Sequence, residues 1–169
     1  EEEGELLEGA EATKFRALVA RLNYLAPDRP DIQYAVKEAA KRMGKPRRPD
    51  WSLLKRIGRY LLSRPRLVHI FRWQEQPEVL TAYSDSNWAG CPVTRKSTTC
   101  CVLTLGAHCL SSASFTQAVI RRSSAEAEYY AMVKTACRLI GMIPLLRGVG
   151  CEFKSRLWSD SSAGIDIAC

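Results

Sequence analysis

Ser123 and Ser124 stand directly ahead of a long run whose apolar residues recur at helical spacing, and Glu126 and Glu128 fall in its first turns. A serine hydroxyl at such a place accepts a bond from a free backbone N–H and starts a helix. The helix dipole favours acid near that end. At about 100° per residue, Ala125, Tyr129, Met132, Ala136, Leu139 and Ile143 form one stripe, with Glu128 about 60° from its centre and Glu126 about 100° away on the other side. Glu128 is therefore expected at the edge of the buried face, where a carboxylate is costly unless a cation or charged partner compensates it. Taken alone, the run also fits an ordinary capped amphipathic helix, so its neighbours must decide.

Those neighbours are mostly strands. Residues 79–84 read as a strand that delivers Asp85 at its end. Residues 97–105 and 108–115 read as two more, with Gly106 as the turn, and 119–121 as a brief edge strand or extended connection. Pro144 is expected to kink or end the long helix. Residues 155–159 form a fourth strand ending at Asp160, and 161–169 begin another helix. If the strands that end in Asp85 and Asp160 are parallel neighbours, their carboxyl ends lie side by side, at the edge where open sheets carry their sites. Crowded carboxylates repel unless protonated or bridged by cations. Oxygen-only ligands suit Mg²⁺ or Mn²⁺, and two such ions can align an attacking water and a leaving oxygen across a phosphodiester. Each acid by itself also fits a cap or a turn; the joint placement is the signal.

The first half is helical and differently charged. Residues 1–10 are acidic with little to bury and are expected to be disordered. Helices are expected over 11–25, from Asp28–Asp31 onward with Pro30 in its first turn, and from Asp50, as cap, to about Leu62. Residues 44–49 form a loop, 66–73 alternate like a short strand, and 74–78 form a linker taken as the domain boundary. Twenty-five Lys and Arg against 18 Asp and Glu give a net charge of +7. Glu1, Glu2, Glu3, Glu5, Glu8 and Glu11 make an acidic head, while Lys41 to Arg72 is a basic middle. Within it Lys55 and Arg59 share a helix face at i, i+4, beside Arg56. Such asymmetry fits a polyanion partner as well as a solvated surface. Charge reversal at Lys55, Arg56 and Arg59 is expected to flatten the salt dependence of nucleic-acid binding by roughly one unit per lost contact.

The 7 cysteines are scattered with no CxxC pair, which argues against a disulfide framework or zinc ribbon. His108 beside Cys109 has no second pair to complete a ligand set. No apolar run approaches bilayer length and the acidic start is unlike a signal peptide, so a soluble intracellular protein without a membrane partner is expected, in a cytoplasmic particle or the nucleus.

Several motifs in order carry a resemblance. Tyr83-Ser84-Asp85-Ser86-Asn87-Trp88-Ala89-Gly90, Arg95-Lys96-Ser97-Thr98, Ser123-Ser124-Ala125-Glu126-Ala127-Glu128-Tyr129 and Leu157-Trp158-Ser159-Asp160-Ser161-Ser162-Ala163 resemble the ribonuclease H domain of copia-type LTR retrotransposon Pol polyproteins. Asn23-Tyr24-Leu25, the 29–36 stretch and the 51–61 stretch are similar to the end of the reverse transcriptase that precedes it. The resemblance implies an α+β fold, a ribonuclease H-like mixed sheet with helices over 79–169, preceded by a three-helix thumb or connection segment over 11–73. It implies two-metal hydrolysis of the RNA strand of RNA–DNA hybrids, with Asp85, Glu128 and Asp160 as catalytic metal ligands and Mg²⁺ or Mn²⁺ as cofactor. Ser86, Asn87, Lys55, Arg56 and Arg59 would contact nucleic acid, and the rest of the Pol polyprotein would be a partner.

The chain also departs from that pattern. Cys91 stands where the family usually has an acid, and Ser161 and Ser162 replace two amides. The family's last strand and helix, with a fourth acid, lie beyond Cys169, so the sheet is expected to be C-terminally truncated and the isolated chain to cleave hybrid slowly or not at all, better with Mn²⁺ than with Mg²⁺. The aspartate-rich polymerase motif is absent, which excludes a polymerase. The competing expectation is a catalytically impaired fragment that binds nucleic acid or serves only as a structural connection.

Overall fold

The computed structural model describes residues 4–168; Glu1–Glu3 and Cys169 lie outside the described residues. The chain divides into two compact units, Glu1–Ile70 and Phe71–Cys169. The described residues form five α-helices and one mixed four-stranded sheet, an α+β architecture. No helix among them is long and apolar enough to cross a membrane.

In the first unit α1 (Gly9–Leu25), α2 (Gln33–Lys41) and α3 (Trp51–Ser63) bury one apolar core. Phe15, Val19, Val36, Ala39, Leu54 and Ile57 lie in it, and Phe15 meets Trp51 edge-on with ring centroids 5.6 Å apart. The start of α2 falls later than the 28–31 stretch. Residues Ala26–Asp28 make a single 3₁₀ turn, after which Arg29, only 6% exposed, turns inward. Its guanidinium donates to both carboxylate oxygens of Asp31 and to the carbonyls of Arg64 and Pro65. The Tyr60 hydroxyl donates to the same carboxylate. Arg29 chiefly, with help from Tyr60, holds Asp31 below the usual carboxylate range. Asp50 does not cap α3 with its side chain; its carboxylate accepts from the Arg47 backbone N–H at 2.7 Å and closes the 3₁₀ turn Arg48–Asp50 just ahead.

The acidic head is not disordered over its described part. Leu6 bridges Arg47 in antiparallel fashion, Leu7 donates to the Pro46 carbonyl at 2.8 Å, and Arg48 donates to the Glu5 carbonyl at 2.9 Å. Leu7 is buried in the helical core. The Arg48 guanidinium reaches Glu5 at 3.1 Å and Glu11 at 4.0 Å. A long-range partner, the 46–48 loop, orders a stretch whose composition alone could not.

The second unit holds β1 (Val79–Asn87), β2 (Thr98–Leu105), β3 (His108–Thr116), α4 (Ser124–Gly148), β4 (Lys154–Trp158) and α5 (Ser162–Ala168). The sheet order is β3-β2-β1-β4. The first three strands are an antiparallel meander, and the α4 crossover returns β4 parallel to β1, with Tyr83 opposite Trp158. Leu80, Ala82 and Leu103 pack against Leu139 of α4. Gly106 turns the β2–β3 hairpin at φ +57°, a conformation that suits glycine. Residues 119–121 are not a strand.

Two further expectations fail for local reasons. Residues 66–73 form no strand; the alternation is there, but no neighbouring strand pairs with it, and Val68, Ile70, Phe71 and Trp73 are exposed. Gln74, in the stretch read as a linker, instead donates to the Leu105 carbonyl and accepts from Ala107 N–H, which anchors it to the β2–β3 hairpin. Pro144 does not end α4, which runs on to Gly148. Both Pro144 and Ile140, whose carbonyl loses its helical donor, face water, so the unmade bond can be hydrated.

Candidate metal centre

Three elements bring three acids together. Asp85 lies in the last turn-ward third of β1, paired across from Cys100. Asp160 follows the end of the parallel neighbour β4 by two residues. Glu128 sits in the second turn of α4, which connects the β3 and β4 sides of the sheet. One carboxylate oxygen from each of Asp85, Glu128 and Asp160 lies within 4.8 Å of the other two. Asp85 and Asp160 are exposed and, with Tyr83, Ser84, Trp158 and Ser159, line an open cleft.

The α4 N-terminus is built to aim Glu128 there. Ser123 caps it, its hydroxyl accepting from Glu126 N–H at 3.1 Å. Glu126 turns back, accepting from Arg122 N–H at 2.8 Å and pairing with Arg121 at 3.3 Å. The Arg122 N–H first, then Arg121, hold Glu126 below the usual carboxylate range. The buried stripe of α4 is Ala127, Ala131, Met132, Thr135 and Leu139, rather than the one through Ala125, Tyr129 and Ile143. Relative to it, Glu128 lies about 25° from the centre and Glu126 nearly opposite. Small residues set this phase because α4 approaches the sheet closely.

Glu128 is partly buried, and its two oxygens have different surroundings. Oε1 accepts from the Ser86 backbone N–H at 3.2 Å and from the Ser86 hydroxyl at 2.8 Å. Oε2 is shielded from water and has no hydrogen-bond partner. Burial first, then the charges of Asp85 and Asp160, push the Glu128 carboxyl above its usual range, against the pull of the Ser86 bonds. A shielded oxygen without a donor among the described residues, in a group of three oxygen-only ligands, fits a hard divalent cation such as Mg²⁺ or Mn²⁺.

Two further residues support the cluster in ways the sequence does not reveal. Gly164 of α5 is buried against Glu128; an added Cβ would stand 3.1 Å from Glu128 Cβ, Met132 Cε and Ser161 Oγ. The run of small residues after Asp160 was the available signal for that close approach. Gln117 is 2% exposed and donates to Thr99 Oγ1 and the Ala127 carbonyl while accepting from Arg121 Nε. Nothing in its local sequence marks it as a hub. Of the residues assigned to nucleic-acid contact, Ser86 points at Glu128, and Asn87 packs under Gly90, where an added Cβ would lie 2.6 Å from its amide nitrogen. Lys55, Arg56 and Arg59 are exposed on α3 and have no side-chain partner among the described residues.

An α+β chain with a mixed sheet and an acidic cluster at the ends of two parallel strands is the class these features define. Over 126 residues it is 40% identical to the uncharacterized mitochondrial protein AtMg00810 of Arabidopsis thaliana, covering 74% of this chain and 52% of that protein. It is 38% identical over 140 residues to the retrovirus-related Pol polyprotein from transposon RE2 of Arabidopsis thaliana, covering 83% of this chain and 10% of the polyprotein. It is 33% identical over 119 residues to secreted RxLR effector protein 161 of Plasmopara viticola, covering 70% of this chain and 83% of that protein. The chain thus spans about half of the first relative and a tenth of the second. It belongs to the sequence family these proteins share, whose long members are retrovirus-related Pol polyproteins of transposons, and its origin is a retrotransposon Pol polyprotein. No family model and no solved structure matches it.

Proposed function

We propose that the Phe71–Cys169 unit is the ribonuclease H-like region of a copia-type retrotransposon Pol polyprotein, and that it hydrolyses the RNA strand of RNA–DNA hybrids. The helical unit before it is the end of the reverse transcriptase, a thumb or connection piece whose Lys55, Arg56 and Arg59 contact phosphates. The observation that carries the reading is the convergence of Asp85, Glu128 and Asp160, from two parallel strands and one helix. These three residues would hold Mg²⁺ or Mn²⁺. A divalent cation bound there supplies Lewis acidity and a water that is nucleophilic near neutral pH. Asp85 and Asp160 flank the open cleft in which a phosphodiester has room, and Glu128 is held in place from behind. The shielded Oε2 of Glu128 keeps one ligand position free of competing hydrogen bonds.

The test is a labelled RNA–DNA hybrid incubated with the purified chain and either cation. Slow cleavage of the RNA strand, lowered at least about 100-fold by Asp85→Asn, is the expected result, with the Mn²⁺ rate above the Mg²⁺ rate. Cleavage that survives Asp85→Asn would refute the assignment. Hybrid binding without cleavage in either cation would favour the alternative, a non-catalytic nucleic-acid-binding remnant of the same polyprotein.

A further inference from the structure

We infer that Ser86 is a positioning residue for Glu128, and that it makes Glu128 a one-oxygen ligand acting through Oε2; this rests on the metal-site reading above. Three observations converge on it. Ser86 gives both of its donors, backbone N–H and hydroxyl, to the same oxygen, Oε1. The other oxygen is shielded from water and has no partner. On its α5 side Gly164 packs beside the base of the Glu128 side chain, where an added Cβ would stand 3.1 Å from Glu128 Cβ.

The chemistry follows from that division. A free carboxylate rotates and can engage a cation through one oxygen or both. Two donors on Oε1 use its lone pairs and fix the plane of the group, which leaves Oε2 as the oxygen free to engage a cation. The strand pairing sets the donors themselves. Ser86 stands opposite Thr99 in the β1–β2 ladder, directly after Asp85, and its hydroxyl reaches Glu128 of α4. One strand thus supplies a ligand from one residue and a support for a second ligand from the next. A serine read in isolation at this position suggests a contact to nucleic acid; the geometry instead spends its hydroxyl inside the protein.

The experiment uses the full chain, with Mn²⁺ alone as probe and free Mn²⁺ read by electron paramagnetic resonance. Ser86→Ala should weaken Mn²⁺ binding by about tenfold, the lower end of what outer-shell partners of metal ligands contribute, because the backbone donor remains. Ser86→Thr keeps the hydroxyl and should restore affinity to within about threefold, which a merely structural loss would not permit. Asp85→Asn separates the two ideas: if it weakens Mn²⁺ and Ser86→Ala does not, the metal site stands and the role of Ser86 is overturned. If Asp85→Asn leaves Mn²⁺ binding unchanged, the metal reading falls. The Ser86–Glu128 contact is then decided by the Ser86 amide proton in NMR spectra of the metal-free chain. It should move upfield on Glu128→Gln, and an unmoved proton would overturn the inference whatever the metal does.

Discussion

The two units treat charge in opposite ways. In the first, acids meet bases: Asp31 with Arg29 at 2.8 Å, Glu38 with Lys41 at 2.8 Å and Lys37 at 3.0 Å, and Glu5 with Arg48 at 3.1 Å. In the second, Asp85, Glu128 and Asp160 are gathered with no salt-bridge partner among the described residues, while Arg121 pairs with Glu126. A paired acid holds a loop or a helix end in place and needs nothing further. Like charges drawn together and left unpaired reduce the stability of the empty fold, and such arrangements cluster at functional sites. The contrast separates paired carboxylates from clustered ones more sharply than sequence position does, since Glu126 and Glu128 are two residues apart.

The largest effect is expected where a buried pair is broken. Asp31→Ala leaves the Arg29 guanidinium enclosed without its carboxylate and removes the acceptor for Tyr60. It should lower the unfolding temperature of the first unit by roughly 10 °C, followed by circular dichroism. Asp85→Ala, which relieves crowding, should not lower that of the metal-free second unit; if both variants destabilise alike, the contrast between the units is broken.

Next in size is Gly164→Ala. The new methyl needs a few tenths of an ångström from Glu128, Met132 or Ser161. It should destabilise the second unit by about 1 kcal/mol in urea unfolding and weaken Mn²⁺ binding at the same time. A loss of stability without any change in Mn²⁺ binding would show that α5 supports the fold and not the site.

The smallest effect is the sign of the pH dependence. Asp31 and Glu38 lie below their ordinary values, near 3.8 and 4.5, in the folded chain. For Glu38, burial opposes the shift and the bonds from Lys41 and Lys37 overcome it. Their contribution to stability is present above those values and is lost as pH falls through the folded ones. Glu128 lies above its ordinary value near 4.5, so its contribution is present below that value and is lost as pH rises through the folded one. Glu126 runs with the first group, having been lowered by the Arg122 N–H. Between pH 4 and 7 the metal-free second unit should therefore gain less stability than the first, and Glu128→Gln should remove that deficit. Parallel pH profiles in the two units, unchanged by Glu128→Gln, would contradict the electrostatic contrast.

Much of the second unit was legible because its elements alternate cleanly. The strand at 79–84, the hairpin at Gly106, the serine cap and the helix after Asp160 lie close to where the pattern put them. The phase of α4 was not, because a wheel weighted by Tyr129 and Ile143 overlooks alanines; the close approach to the sheet buries Ala127 and Ala131 instead. Local pattern also could not report partners distant in the chain. Leu6 and Leu7 are ordered by Arg47 and Pro46, whereas the alternating 66–73 run has no strand to pair with. In the candidate site, the acids could be named from element ends, but the roles of Ser86 and Gly164 depend on which face of a strand or helix meets α4. The Arg29–Asp31–Tyr60 network was hidden for the same reason, since Tyr60 lies 29 residues from Asp31.

The most direct measurement is anomalous diffraction from crystals of the chain grown with Mn²⁺. The expected result is a peak about 2.1 Å from one oxygen each of Asp85 and Asp160 and from Oε2 of Glu128. No peak among these three carboxylates at saturating Mn²⁺, or a peak held by Glu126 instead, would contradict the claim that they form a divalent-cation site.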